Sequence, residues 1–382
     1  AQKYANYFDS SDVLRKCSSH RILAMLRGEK EGLLKLQIVV DDSEIIDKIS
    51  KFVVKGNGES SNFVAEAVID SYKRLIRPSI ETEVLNLAKQ NADKVAIDTF
   101  ADNLRQLLFA PPLGRKRILA VDPGFRTGCK VVCMDEQGGL LCDDVIYPTM
   151  PKNDYVGASS KVCSLVKKYN IDAIAVGNGT ASRETEAFLK SLSFDKEINV
   201  YVVNESGASI YSASEIAREE FPDKDVTVRG SISIGRRLLD PLAELVKIDP
   251  KSIGVGQYQY DVDQNKLKDS LSFVVESCVN SVGVNVNTAS KELLTYVSGL
   301  GPQLAQNIIN YRNEHGAFRT RNELLDVPRF GAKAFQQSSA FLRIPEAKNP
   351  LDNSAVHPEQ YKLVERMAKD YGYSVQELIG DK

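Results

Sequence analysis

The chain has 382 residues, 43% of them hydrophobic and 26% charged, with a formal net charge of -2. This is a globular composition, long enough for roughly two to four domains at ~100–200 residues each. A charge so near neutral excludes a nucleic-acid signal spread over the whole surface, so any basic face must be local.

Six cysteines (Cys17, Cys129, Cys133, Cys142, Cys163, Cys278) form no CxxC pair, and His20, His315 and His357 lie far apart. The pattern argues against a zinc site or a disulfide scaffold and for a reducing cytoplasm. No apolar run reaches the ~20 residues of a membrane span. The N-terminus "AQKYANYFDSSD" has no signal-peptide pattern and no initiator Met, so an excised piece of a longer protein is expected.

Residues 1–112 read as a helical region. "SSHRILAMLRGEKEGLLKL" places Ile22, Leu23, Leu26, Leu33 and Leu34 at helical intervals, with Ser18 or Ser19 as N-cap. A second helical stretch runs from Asn62 to Leu108, broken near Arg77-Pro78. "APPLGRKR" is a Pro/Gly linker and the first clear boundary.

From 116 to 245 the texture changes. "RILAVD", "GCKVVCMD" and "LLCDDVIYP" are strands, the last two joined through the turn "EQGG". A helix from Asp154 to Tyr169 leads to the strand "DAIAVG". Then come the helix "TASRETEAFLKSL", with Thr180 or Ser182 as cap, the strand "INVYVVNE" and the helix "SASEIAREEF". "VRGSISIGRRLLDPLAELVKI" closes the unit as a helix interrupted near Pro241. Three adjacent strands followed by alternating helix and strand predict a mixed sheet covered by helices, in the order of a ribonuclease-H-like architecture. Cys129 and Cys133 fall on a buried strand as core residues. Residues 246–284 read as a connector that returns to helix.

Residues 285–345 contain two related units, "TASKELLTYVSGLGPQLAQNIINYRNEHG" and "TRNELLDVPRFGAKAFQQSSAFLRI". Each reads as helix, hairpin of plan apolar-Gly-x-x-x-Ala, helix. Gly299 and Gly301 flank Leu300 in the first hairpin; Arg329 and Gly331 flank Phe330 in the second. Leu300 and Phe330 are expected to plug the core. Glycine here permits a sharp turn and close approach of the backbone to a ligand. The amides that follow open a helix N-terminus, which attracts an anion such as a backbone phosphate. Between Val286 and Ile344 seven Lys/Arg face four Asp/Glu, a local charge of 7 − 4 = +3. Arg319, Arg321, Arg329, Lys333 and Arg343 cluster in the second unit, and all but Arg343 join the three glycines as expected nucleic-acid contacts. The competing reading is a helical pair that only packs against protein. Residues 346–382 read as a C-terminal helical segment.

"ILAVDPGFRTG" ends a buried strand in an acid, Asp122, which is expensive unless its charge is used. Ribonuclease-H-like nucleases gather several carboxylates around one or two Mg²⁺ ions. Asp122 fills the first position, but the fourth-strand position in "AVGNG" holds Asn178. Glu205 and Asp240 are candidates for later acids. Glu184 and Glu186 are conceivable substitutes, and Arg126 and Arg183 lie near enough in sequence to oppose a metal. The expectation is a degenerate site without metal or catalysis; the alternative is an Mg²⁺- or Mn²⁺-dependent nuclease using Asp122 and Glu205. "VGNGTAS" offers a weaker phosphate-cradling turn. No GxxxxGK[ST] loop and no GxSxG elbow is present.

"AVDPGFRTG", "VGNGTASRETE", "VNESGASIYSASEIAREEFP" and "RRLLDPLAELVKIDPKSIGVGQYQYDV" resemble the YqgF-type, ribonuclease-H-like domain of the bacterial Tex family. "SSHRILAMLRGEKEGLL" is similar to that family's central helical region, the paired units to its tandem helix-hairpin-helix module, and "NPLDNSAVHPEQY" to the segment that follows. The resemblance implies a cytoplasmic transcription accessory protein, a scaffold that binds DNA or RNA with little sequence preference. It implies no cofactor and no membrane. Transcription machinery is an implied partner, and docking on polymerase or ribosome alone is a further alternative. The family's oligonucleotide-binding barrel is not expected within these residues.

Overall fold

The computed structural model describes residues 2–380. Its chain divides into two compact units, Ala1–Phe100 with Gly256–Ser270, and Ala101–Val255 with Leu271–Lys382.

The first unit is helical. Helix α1 (Ser19–Lys30) starts after Ser18, whose side chain makes no capping bond. It ends earlier than its apolar spacing predicts. Gly32 adopts φ 71°, and the amides of Leu33 and Leu34 turn back to the Gly28 carbonyl, so both leucines lie beyond the helix. Helix α2 (Asp42–Val53) is capped by Asp41, which accepts from the Ser43 and Glu44 amides. Helix α3 (Glu59–Ser71) runs through a π turn (Tyr72–Ile76) into the long helix α4 (Arg77–Leu108). The predicted break at Arg77-Pro78 is this π turn, where a wider ring absorbs the prolyl nitrogen that cannot donate. Gly256–Ser270, within the stretch read as a connector, is tied to α1. Arg27 pairs with Asp261 and lies 4.5 Å over the Tyr258 ring.

The second unit is built on a five-stranded sheet. Strands β1 (Ile118–Asp122), β2 (Cys129–Met134) and β3 (Leu140–Ile146) form an antiparallel meander. Helix α5 (Tyr155–Tyr169), capped by Asp154, leads to β4 (Ala173–Gly177); α6 (Ser182–Lys190) leads to β5 (Asn199–Val203). The order is β3-β2-β1-β4-β5, with β1, β4 and β5 parallel. Neither Thr180 nor Ser182 caps α6. Its N-cap is Ala181 at φ 63°, with no side-chain bond.

Alternation along β1 assigns the two faces. Leu119 and Val121 pack with Val162 of α5 and Phe188 and Leu189 of α6. Ile118 and Ala120 pack on the other side with Ile232 and Ile234. Those isoleucines belong to α9 (Val226–Leu239), which follows the short helices α7 (Ala208–Ala213) and α8 (Glu215–Glu220). By parity Asp122 faces α9. Leu239 is followed by Asp240, which breaks the helix and caps α10 (Pro241–Leu245). Cys129 and Cys133 are buried in the sheet.

Helix α11 (Gln264–Val282) enters a clasp in which β6 (Val284–Asn285) pairs in parallel with β7 (Leu342–Arg343). Between the two strands lie α12 (Lys291–Thr295), α13 (Pro302–His315), a 3-10 turn (Arg321–Asp326) and α14 (Ala332–Ser338). The helix expected to open the second hairpin repeat is thus a 3-10 turn. Helices α15 (Tyr361–Tyr371) and α16 (Val375–Gly380) complete the chain.

Candidate nucleic-acid interface and the nuclease-like site

The two hairpins repeat one backbone plan. Gly299 has φ 80° and Arg329, at the matching step, has φ 65°. Gly301 and Gly331 are then the N-caps of α13 and α14, and neither supplies a side-chain cap. Among the described residues the amides of Gln303, Leu304, Lys333 and Ala334 have no acceptor, because Ala305 and Phe335 are the first to bond back, to Gly301 and Gly331.

The three glycines are required for different reasons. Gly299 is demanded by the fold, since its φ is positive and a Cβ would meet the Gln337 Cβ at 2.5 Å. Gly301 and Gly331 have φ of -126° and -81°, which any residue adopts, and a Cβ on either would meet nothing within 4 Å. No packing inside the chain calls for glycine there; a surface left bare of side chain is one that another backbone can approach.

The cations divide sharply. Arg319, Arg329 and Lys333 are exposed. Arg321, expected as a phosphate contact, is 1% exposed. Its Nε donates to the Leu342 carbonyl (2.9 Å), Nη1 to Val356 O and the Tyr361 hydroxyl (2.7 Å each), and Nη2 to Ser354 O (2.6 Å). With four of its five guanidinium N–H groups engaged and Asp352 accepting from its amide at 3.3 Å, it is a structural rivet. Arg343 also turns inward, onto the Ala340 and Ser354 carbonyls. Phe330 plugs the core at 3% exposure, whereas Leu300 is only half-buried.

In the sheet domain Asp122 and Glu205 converge. Burial pushes the Asp122 carboxyl up to about 6, the charge of Glu205 adds to this, and Lys130 opposes it. Lys130 is the register partner of Asp122 across β1 and β2, so it, rather than Arg126 or Arg183, is the nearby cation. Glu205 lies over Gly177 and Gly179, where a Cβ on either would collide with its carboxylate. Asn178 has turned its side chain to other work: Oδ1 accepts from the Glu205 amide at 3.1 Å.

The helix that faces Asp122 presents Gly230, whose Cβ would sit 3.7 Å from Asp122 Oδ2. Helix α9 carries no acid. Asp240, expected as a later acid of the site, is at the wrong end. Helix α9 runs from Gly230, opposite Asp122, to Leu238 and Leu239, whose carbonyls accept from Leu113 and Gly114 ahead of β1. Asp240 therefore lies about ten residues further along, ~15 Å at 1.5 Å per residue, and accepts from the Ala243 amide. Glu184 is exposed and Glu186 pairs with Lys190 at 2.7 Å. Among the described residues no group of three or more His, Cys, Asp or Glu is placed to hold a metal ion.

No local pattern singles out Arg237. It is buried, its Nη1 donates to the Asn204 and Ser206 carbonyls at 2.8 Å each, and burial lowers its guanidinium to about 10 against the pull of Glu244 and Glu205. Glu205 Oε2, Ser233 Oγ and the Nε and Nη2 of Arg237 are buried without hydrogen-bond partners. A fixed cation thus acts on Glu205 in the part of the fold where a nuclease would gather dications.

Comparison with known proteins matches the chain in four stretches. The Tex central region-like family matches residues 1–100, and the Tex protein YqgF-like domain matches residues 116–239. A helix-hairpin-helix motif matches 279–343 and an HHH domain matches 349–382. Protein YdcI of Bacillus subtilis is 49% identical over 98% of this chain and 53% of its own length. Protein tex of Bordetella pertussis is 46% identical over 99% of this chain and 50% of its own. Transcriptional accessory protein Tex of Neisseria gonorrhoeae is 47% identical over 100% of this chain and 51% of its own. The chain spans about half the length of these relatives. Matched in the helical region, the sheet domain and the hairpins alike, the chain belongs to the Tex family.

Proposed function

We propose that this chain is the sequence-nonspecific nucleic-acid grip of a cytoplasmic transcription accessory protein. The hairpins hold the phosphate backbone of DNA or RNA through the free amides at the starts of α13 and α14, aided by Arg319, Arg329 and Lys333. The observation that carries this reading is the pair Gly301 and Gly331, glycines that neither φ nor packing requires. Phosphate contacts position a strand without reading its sequence, and binding falls steeply with added salt. The name of the Neisseria gonorrhoeae relative supports a transcriptional setting.

The ribonuclease-H-like domain acts as a non-catalytic docking module, with no metal cofactor. The missing acids at Asn178 and Gly230 and the fixed cation Arg237 support this. The convergence of Asp122 and Glu205 favours the competing reading, an Mn²⁺- or Mg²⁺-dependent nuclease.

Two measurements on the purified chain test the pair. Gly301→Asp with Gly331→Asp should weaken binding to unrelated sequences to a similar degree, with the melting curve unchanged; unaltered affinity in a folded variant removes the phosphate grip. Labelled single strands, duplexes and junctions should survive incubation with Mn²⁺. Cleavage lost in Asp122→Asn would establish the nuclease instead.

A further inference from the structure

Three rings form a ladder at the end of α13 remote from the hairpin. Tyr311 stacks on Phe318 with centroids 5.2 Å apart and planes at 17°, and on His315 at 4.3 Å and 16°. Phe318 is the buried rung, at 2% exposure. Its amide donates to Asn287 Oδ1 at 2.8 Å and its carbonyl accepts from Asn287 Nδ2 at 2.9 Å, so the ladder has a rigid foot.

His315 is the exposed rung. Its Nδ1 donates to the Tyr311 carbonyl at 3.1 Å, which holds the ring parallel to its neighbour and leaves Nε2 to solvent. The chain then turns away through Gly316, at φ 89°, where even a Cβ would meet nothing within 4 Å. Exposed Arg319 follows Phe318 in sequence, and its guanidinium makes no ion pair among the described residues. A helix-end pair that merely covers Phe318 would be complete with Tyr311; a third, oriented and exposed ring adds a platform.

We propose that an unpaired nucleobase of single-stranded nucleic acid stacks on His315, while Arg319 takes a neighbouring phosphate. This rests on the nucleic-acid reading above. Every base offers a π face, so the contact is indifferent to sequence and to RNA or DNA. Helix α13 has 14 residues, so platform and hairpin amides stand ~20 Å apart, about six nucleotides of stacked strand at ~3.4 Å each. A duplex, whose bases are already stacked, gains the amides but not the platform.

The test uses the full chain with RNA and DNA strands of about twelve nucleotides, each carrying 2-aminopurine, and the matching duplexes. His315→Ala, checked for an unchanged melting curve, should lower affinity for both single strands by about three- to tenfold and abolish 2-aminopurine quenching, leaving duplex affinity unaltered. His315→Phe should restore both, because the ring and not its charge is used. The platform is overturned if His315→Ala leaves single-strand affinity and quenching unchanged while Gly301→Asp with Gly331→Asp weakens both nucleic acids; the phosphate grip then stands. It is equally overturned if His315→Phe behaves like His315→Ala. Failure of the unaltered chain to bind strand or duplex removes both proposals together.

Discussion

Gly299 and Arg329 occupy the same step of successive hairpins and share a left-handed backbone, φ 80° and 65°. Glycine enters this region freely, whereas a residue with a Cβ pays about 1–2 kcal/mol. The second hairpin thus accepts strain at a position where the side chain is an exposed cation. Arg329→Gly should raise stability by about 1 kcal/mol in urea melts while lowering nucleic-acid affinity and making the salt dependence shallower by about one phosphate contact. A variant that is both tighter and more stable would mean Arg329 has no role at the phosphate.

The three glycines should separate in a stability assay. Gly299→Ala combines a positive φ with a Cβ 2.5 Å from that of Gln337, and should cost about 2–3 kcal/mol. Gly301→Ala, with open space and extended φ, should change stability by less than about 0.5 kcal/mol and act on binding alone. Equal melting losses for the two would contradict the division of roles.

Much of this architecture could be read in advance because its signals are local. The strand ends at Asp122 and Gly177, the turn between β2 and β3 and the paired hairpins rest on periodicity, glycine placement and turn residues that act over a few positions. What stays hidden in the sequence is set by long-range contacts. Arg321 looks like its exposed neighbours until Ser354, Val356 and Tyr361 are brought to it from over thirty residues away. Asp240 looks like another acid near an acidic site until α9 is seen to run antiparallel to β1. Arg237 sits in a pair of arginines of which one is bound to carbonyls beside Glu205, and nothing local tells which.

Asp122 supplies a pH-dependent prediction. Its folded value, about 6, lies above the ordinary 3.8, so the folded state holds the proton more tightly than the unfolded chain. Its contribution to stability is fully present below the unfolded value and is lost as pH rises through about 6. Asp122→Asn should therefore stabilise the chain at neutral pH, on the order of 1–2 kcal/mol after allowing for its partial exposure, and flatten the loss of stability between about pH 4 and 6. Thermal melts across that range decide it. Destabilisation by the same variant only in Mn²⁺ buffer would show that the carboxylate holds a cation.

Arg321→Met should be among the most damaging single changes. It strips the hydrogen bonds from the Leu342, Ser354 and Val356 carbonyls and from the Tyr361 hydroxyl. A loss of about 3–5 kcal/mol is expected from leaving these buried acceptors unsatisfied, at about 1–3 kcal/mol each. The denaturation midpoint measures it, and a loss below about 1 kcal/mol would place Arg321 at the surface after all.

The parallel pairing of β6 with β7 has a mechanical consequence. These strands enter and leave the hairpin module, and the Val284 and Val286 amides donate to the Phe341 and Arg343 carbonyls at 2.7 and 3.1 Å. Tension applied along the polypeptide pulls β6 by its start and β7 by its end, in opposite directions along a common axis. Both bonds are then loaded together in shear instead of being unzipped singly. A pull through the protein's own chain meets this clasp first, and the Gly301 and Gly331 turns stay unloaded until it yields.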